Sequence, residues 1–123
     1  MHTIFIIEPD KLLARNYAFA LQKKDRQIIL FSTASVAVKA LEKVVPELVV
    51  MEVALPGHNG FEFLYEMLSY SDSQNCKVVI NSFVQEADIP FGFVNRGEMG
   101  IVEYLPKQFT PLSRLAEVVN EHL

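Results

Sequence analysis

Five side chains in this 123-residue sequence have the chemistry to handle a phosphoryl group together: Glu8, Asp10, Glu52, Ser82 and Lys107. Each stands within three residues of the end of a short apolar run. TIFII (Thr3–Ile7) leads into Glu8-Pro9-Asp10, LVVM (Leu48–Met51) into Glu52, KVVI (Lys77–Ile80) into Asn81-Ser82, and IVEYL (Ile101–Leu105) into Pro106-Lys107. A carboxylate can act as a nucleophile, acidic neighbours can hold Mg²⁺, and lysine and hydroxyl groups can bind the transferred oxygens. That chemistry requires all five on one rim, so the elements that carry them must end there together.

Short apolar runs of this kind read as strands buried on both faces. They recur with helical stretches between them, in five units of roughly 25 residues. After Thr3–Ile7, Lys11–Lys24 places Leu13, Tyr17, Ala20 and Leu21 at helical spacing. Gln27–Phe31 is the second strand. Ser32 or Thr33 caps a helix over Ala34–Val45 with a Val36, Ala40, Leu41, Val44 stripe, and Pro46 ends it. Leu48–Met51, the helix Gly60–Tyr70 and Lys77–Ile80 follow. Gln85–Gly100 carries Pro90, Gly92, Gly97 and Gly100, so a fourth helix there is short or irregular. After Ile101–Leu105, Thr110-Pro111 opens a last helix with Leu112, Leu115, Val118 and Val119 facing the core. Apolar strands alternating with amphipathic helices predict an α/β fold, a doubly wound parallel sheet covered on both faces. Such folds keep their working residues outside the carboxyl ends of the strands.

The bulk numbers set the bounds. One domain spanning residues 1–123 is expected, with 50% hydrophobic residues and a net charge of −4. An acidic chain argues against nucleic-acid binding. The single cysteine, Cys76, excludes an intrachain disulfide and fits a reducing, cytoplasmic setting. No apolar run approaches the ~20 residues that span a bilayer, so no membrane partner is expected.

In order and spacing these motifs resemble the receiver domain of two-component response regulators, across essentially the whole chain. IFIIEPD is similar to the family's first strand with its acidic pair, and LVVMEVALPGHNGFEFL to the phosphoacceptor strand and following loop, with Pro56 and Gly60 matching that loop. VVINS is similar to the strand ending in Ser or Thr, and EYLPKQF to the strand ending in lysine. The resemblance implies a five-stranded, flavodoxin-like (βα)₅ receiver fold of strand order 2-1-3-4-5. It further implies an aspartate phosphorylated by a histidine kinase, a divalent metal at the acidic pair, Ser82 and Lys107 as the phosphate readers, and Tyr104 as the aromatic that reorients with the hydroxyl.

Several positions depart from that pattern. Glu52 stands where the phosphoacceptor aspartate should be, its carboxylate displaced by roughly one C–C bond, about 1.5 Å. Misplacement by about 1 Å can cost on the order of a hundredfold in rate. Pro9 replaces the second acid of the pair and cannot ligate, leaving Glu8, Asp10 and Glu52 as weak metal candidates; no cofactor is expected, with any Mg²⁺ bound weakly. Phe83 should partly block the pocket. Gln108 replaces the proline after the lysine, so a trans bond is expected there. His58 is expected in solvent. Tyr104 matches the switch position, with simple packing its plainer role, and Phe91 and Phe93 either cover the sheet or present a partner surface.

The expectation is therefore a non-enzymatic, degenerate receiver, a protein-interaction module in bacterial signalling whose partners are a kinase, a regulator or an output domain. In one version Glu52 reaches Lys107 and Ser82 and mimics the phosphorylated state. In the other, preferred from sequence, the rim is vestigial and the surface around residues 85–100, the fifth strand and the last helix does the work. The alternatives are a still phosphorylatable, Mg²⁺-dependent receiver and, remotely, a flavin- or nucleotide-binding protein, which the acidic Glu8-Pro9-Asp10 loop disfavours.

Overall fold

Strands form where the apolar runs lie. The computed structural model describes residues 1–57, 60–88 and 97–123. In it β1 (His2–Ile7), β2 (Arg26–Phe31), β3 (Leu48–Met51), β4 (Lys77–Ser82) and β5 (Ile101–Pro106) pair in parallel, in the order β2-β1-β3-β4-β5. Among the described residues four helices accompany them: α1 (Lys11–Leu21), α2 (Ala34–Ala40), α3 (Gly60–Ser69) and α4 (Leu112–His122).

The two-residue period of the strands divides the core. Phe5, Ile7, Val49, Met51, Val78 and Ile80 face α2 and α3, where Ala37, Phe63, Leu64 and Met67 cover them. Ile4, Ile6, Leu48, Val50, Val79 and Leu105 face the opposite way onto Tyr17 and Leu21 of α1 and Leu115, Val118 and Val119 of α4. This is the doubly wound arrangement predicted. Its central strands are sealed: all four residues of β3 are buried.

Local departures from the sequence reading have local causes. Helix α2 stops at Ala40 rather than Val45, because the chain tightens into three-residue turns: Glu42 N–H donates to the Lys39 carbonyl and Lys43 N–H to that of Ala40. The buried stripe of this region is Ala34, Ala37 and Leu41, and Val36 is exposed. Before α4 the Thr110 hydroxyl donates to the Pro106 carbonyl at 2.7 Å, so Pro111, not Thr110, holds the cap position. Leu112 points partly to solvent, 40% exposed, while Leu115, Val118 and Val119 are buried as expected. Between β4 and β5 the described residues contain one 3-10 turn, Glu86–Asp88. Phe91, Phe93 and His58 lie outside the described residues.

Candidate functional site

Strand register assembles the rim. Ile7 pairs with Met51, Met51 with Ile80, and Ser82 with Pro106. The residues that follow β1 and β3, Glu8 and Glu52, therefore emerge side by side, with Ser82 on the next strand and Lys107 one residue beyond β5. Ladder bonds continue past the strand ends: Glu8 N–H donates to the Phe31 carbonyl at 2.9 Å and Glu52 N–H to that of Ile7 at 3.0 Å. Both glutamates are held by backbone on one side before their side chains turn inward.

Gly60 makes that turn possible. Its N–H donates to the Val53 carbonyl at 2.8 Å. A Cβ there would lie 2.6 Å from Met51 Cε, 2.9 Å from Val53 Cα and 3.2 Å from the Glu52 carbonyl. Only the missing side chain lets the start of α3 close against the segment that leaves β3.

The Glu52 carboxylate is saturated. Oε1 accepts from Lys107 Nζ at 2.9 Å and from the Phe83 N–H at 3.2 Å. Oε2 accepts from the Val53 N–H at 2.7 Å, from the Ala54 N–H at 3.1 Å and from the Ser82 hydroxyl. A carboxylate offers about four lone-pair positions, and five donors already converge on this one. Burial alone pushes the Glu52 carboxyl up, but bonds from Ser82, Lys107, Ala54 and Phe83 outweigh it and hold it below the ordinary glutamate value.

Lys107 joins the two acids. Its ammonium lies 2.5 Å from Glu8 Oε1 and 2.9 Å from Glu52 Oε1, with the side chains of all three residues 3–5% exposed. At about 3 Å and an effective dielectric near 20, each attraction is about 5 kcal/mol before desolvation, which offsets much of it. Burial pulls the ammonium down, and the hydrogen bonds and charges of Glu8 and Glu52 outweigh that and raise it above the ordinary lysine value. The Phe83 ring lies over the ammonium, its centroid 4.6 Å from Nζ, and roofs the pair.

Ser82 links this cluster to Tyr104. While its hydroxyl donates to Glu52, its oxygen accepts the Val84 N–H at 3.0 Å. Tyr104 is turned inward, its hydroxyl donating to the Val84 carbonyl at 2.7 Å and lying close to Ser82. Burial pushes the Tyr104 hydroxyl up, against a lowering bond from Ser82. Hydrogen bonds thus link Lys107 through Glu52 and Ser82 to the Val84 N–H, and the backbone of Val84 carries the link on to its carbonyl and Tyr104.

Asp10 sits elsewhere. It is exposed and caps α1, its Oδ1 accepting from the N–H groups of Leu12 at 2.9 Å and Leu13 at 3.1 Å. Its own N–H donates to Glu8 Oε2 at 3.1 Å. Of the sequence candidates, then, Glu8, Glu52, Ser82 and Lys107 meet, Tyr104 joins through Val84, and Asp10 does not enter. The peptide bond from Lys107 to Gln108 is trans, as no cis bond occurs among the described residues. Two neighbours were not singled out from sequence. Tyr17, placed there only at helical spacing along the first helix, brings its hydroxyl near Lys107, Glu8 and Asn81. Buried Asn81 has an Oδ1 with no hydrogen-bond partner. An asparagine inside the otherwise apolar VVIN run was the available signal.

Comparison with known proteins agrees with this architecture. The family model described as the response regulator receiver domain matches residues 4–120. The chain is 33% identical over 109 residues to protein-glutamate methylesterase/protein-glutamine glutaminase 2 of Oleidesulfovibrio alaskensis, covering 86% of this chain and 30% of that protein. It is 23% identical over 116 residues to the transcriptional regulatory protein CreB of Escherichia coli, covering 94% of this chain and 48% of that one. The chain thus spans less than half the length of either relative, and the esterase name describes that protein. Among solved structures, the chemotaxis response regulator CheY4 of Vibrio cholerae superposes with a TM-score of 0.84 at 15% identity, covering 100% of this chain and 99% of that one. Response regulator TrrA of Thermotoga maritima, solved with Mg²⁺ and beryllofluoride, gives 0.79 at 19% identity and covers 100% of both chains. At these identities the superpositions speak for the fold. Among the described residues, no helix is long and apolar enough to cross a membrane.

Proposed function

The chain belongs to the response regulator receiver domain family, and from that premise we propose that it is a phosphorylation-independent receiver, an interaction module whose signalling arrangement is held by Glu52 instead of by a phosphoryl group. The observation that carries this reading is the bonded path from Lys107 through Glu52 and Ser82 to the inward Tyr104. In the receiver pattern, lysine and hydroxyl read a phosphorylated aspartate and the aromatic follows the hydroxyl. Here the longer glutamate side chain brings its own oxygens to both readers. Of the two versions drawn from sequence, the geometry favours mimicry over a vestigial rim.

The same geometry speaks against a phosphoryl acceptor. A carboxylate attacks with a free oxygen lone pair, and both Glu52 oxygens are occupied by donors, one of them the ammonium that the Phe83 ring covers. The partners of such a module are signalling proteins, a kinase, a regulator or an output domain, that recognise the engaged face directly. Intact-mass measurement after incubation with a small acyl-phosphate donor and Mg²⁺ tests the reading, with a phosphorylatable receiver as control. No adduct is expected on this chain. A phosphoryl group mapped to Glu52 refutes the proposal and restores the phosphorylatable alternative.

A further inference from the structure

The receiver pattern calls for a divalent metal beside the acidic pair, and the donors present do not suit one. Mg²⁺ demands near-ideal octahedral geometry at about 2.0–2.1 Å and usually one or two carboxylates. Pro9 contributes no side-chain oxygen, and Asp10 is exposed and directs Oδ1 to the cap of α1. Both oxygens of Glu52 are saturated by five donors. Glu8 remains, with Oε2 accepting the Asp10 N–H at 3.1 Å and Oε1 lying 2.5 Å from an ammonium.

We infer that Lys107 is the resident cation of this site: its ammonium takes the place of a divalent metal between Glu8 and Glu52. The contact pattern is that of a bridging ion. One compact charge touches an oxygen of each carboxylate, at 2.5 and 2.9 Å, with the side chains of all three residues 3–5% exposed. The charge balance agrees. A phosphoryl group carries about 1.5 to 2 negative charges, where a glutamate carries one. Replacing it by Glu52 and an acid by Pro9 removes about 1.5 to 2 negative charges, close to the charge of the divalent cation that is lost. Phe83 adds a further obstacle, because its ring covers the outer side of the ammonium at 4.6 Å. A metal entering here would have to expel a buried lysine from both of its carboxylates.

This inference concerns ion uptake and not covalent transfer, so its failure is distinguishable from that of the proposed function. The test is a Mn²⁺ titration of the ¹⁵N-labelled protein, reading paramagnetic broadening at the Asp10, Val53 and Ala54 amides, which lie against the two glutamates. The wild type is expected to show no saturable broadening of these amides at millimolar Mn²⁺. Lys107→Ala frees Glu8 Oε1, leaves Glu52 Oε1 with the Phe83 N–H alone and removes the like charge, and is expected to bind Mn²⁺ there at least about tenfold more tightly. Equal broadening in both proteins, or a folded Lys107→Ala protein with no gain, overturns the inference. If that variant does not fold, amine acylation of the wild type decides: Lys107 stays protected with or without millimolar Mg²⁺, and Mg²⁺-dependent labelling of Lys107 overturns it.

Discussion

Glu52→Gln removes one charge and almost no volume, and it isolates the role of the carboxylate. Glu52 is 4% exposed. Five donors among the described residues bond its two oxygens: Lys107 and the Phe83 N–H on one side, Ser82 and the N–H groups of Val53 and Ala54 on the other. A glutamine must turn its NH₂ toward one set. Toward the first, Lys107 is left with Glu8 alone; toward the second, two backbone N–H groups lose their acceptor. A lost hydrogen bond to a charged group is worth about 1.5–3 kcal/mol, and breaking a buried pair outright about 3–5 kcal/mol. Because Lys107 keeps Glu8, the expected cost is about 3 kcal/mol at neutral pH, a fall in Tm of roughly 10 °C for a domain this size.

The pH dependence separates this mechanism from general damage. The folded-state pKa of Glu52 lies below its ordinary value, so the unfolded chain takes up the proton first. Its contribution is fully present above the unfolded value of about 4.3 and is lost as pH falls through the lower, folded value. Urea unfolding followed by circular dichroism, from neutral pH into the acid range, should show the wild-type advantage intact at pH 7 and shrinking below about pH 4.3. A neutral-pH difference under about 0.5 kcal/mol, the size of an ordinary surface substitution, or a gap that does not narrow in acid, refutes the reasoning.

Two further predictions concern the frame around the site. Gly60→Ala places a methyl group 2.9 Å from Val53 Cα; overpacking there is expected to cost about 1–3 kcal/mol in thermal unfolding and to shift the Val53 and Ala54 amide resonances. At the other end of the sheet Arg26 is 6% exposed and donates to the Leu21 carbonyl at 2.8 Å and to Asn120 Oδ1 at 2.6 Å, tying β2 to the last turns of α1 and α4. Asn120→Leu removes one acceptor from a buried guanidinium and should cost about 1.5–3 kcal/mol by urea titration, leaving the Glu52, Ser82 and Tyr104 resonances unmoved.

How much of this was legible beforehand differs from residue to residue. The apolar runs TIFII, LVVM, KVVI and IVEYL specified buried parallel strands, because an open sheet covered on both faces needs apolar side chains pointing both ways. That alone placed Glu8, Glu52, Ser82 and Lys107 on one rim. Helix limits were less legible: whether α2 runs to Val45 or stops at Ala40 depends on where Leu41 finds its buried place, which periodicity does not state.

Reading the chain alone sufficed for the residue types at the rim and their departures from the receiver pattern: a glutamate one methylene longer than aspartate, and a proline beside Glu8. What those residues bond to came from the packing. Asp10 had a choice between pocket and helix cap, and three dimensions gave it to the cap. Lys107 reaches Glu8 from 99 residues away, and Tyr104 bonds the Val84 carbonyl while Ser82 bonds Glu52. The reason is physical: a buried carboxylate takes the donors that chain packing brings within about 3 Å, and several residues compete for each donor. Spacing along the chain lists the competitors, and the fold selects among them.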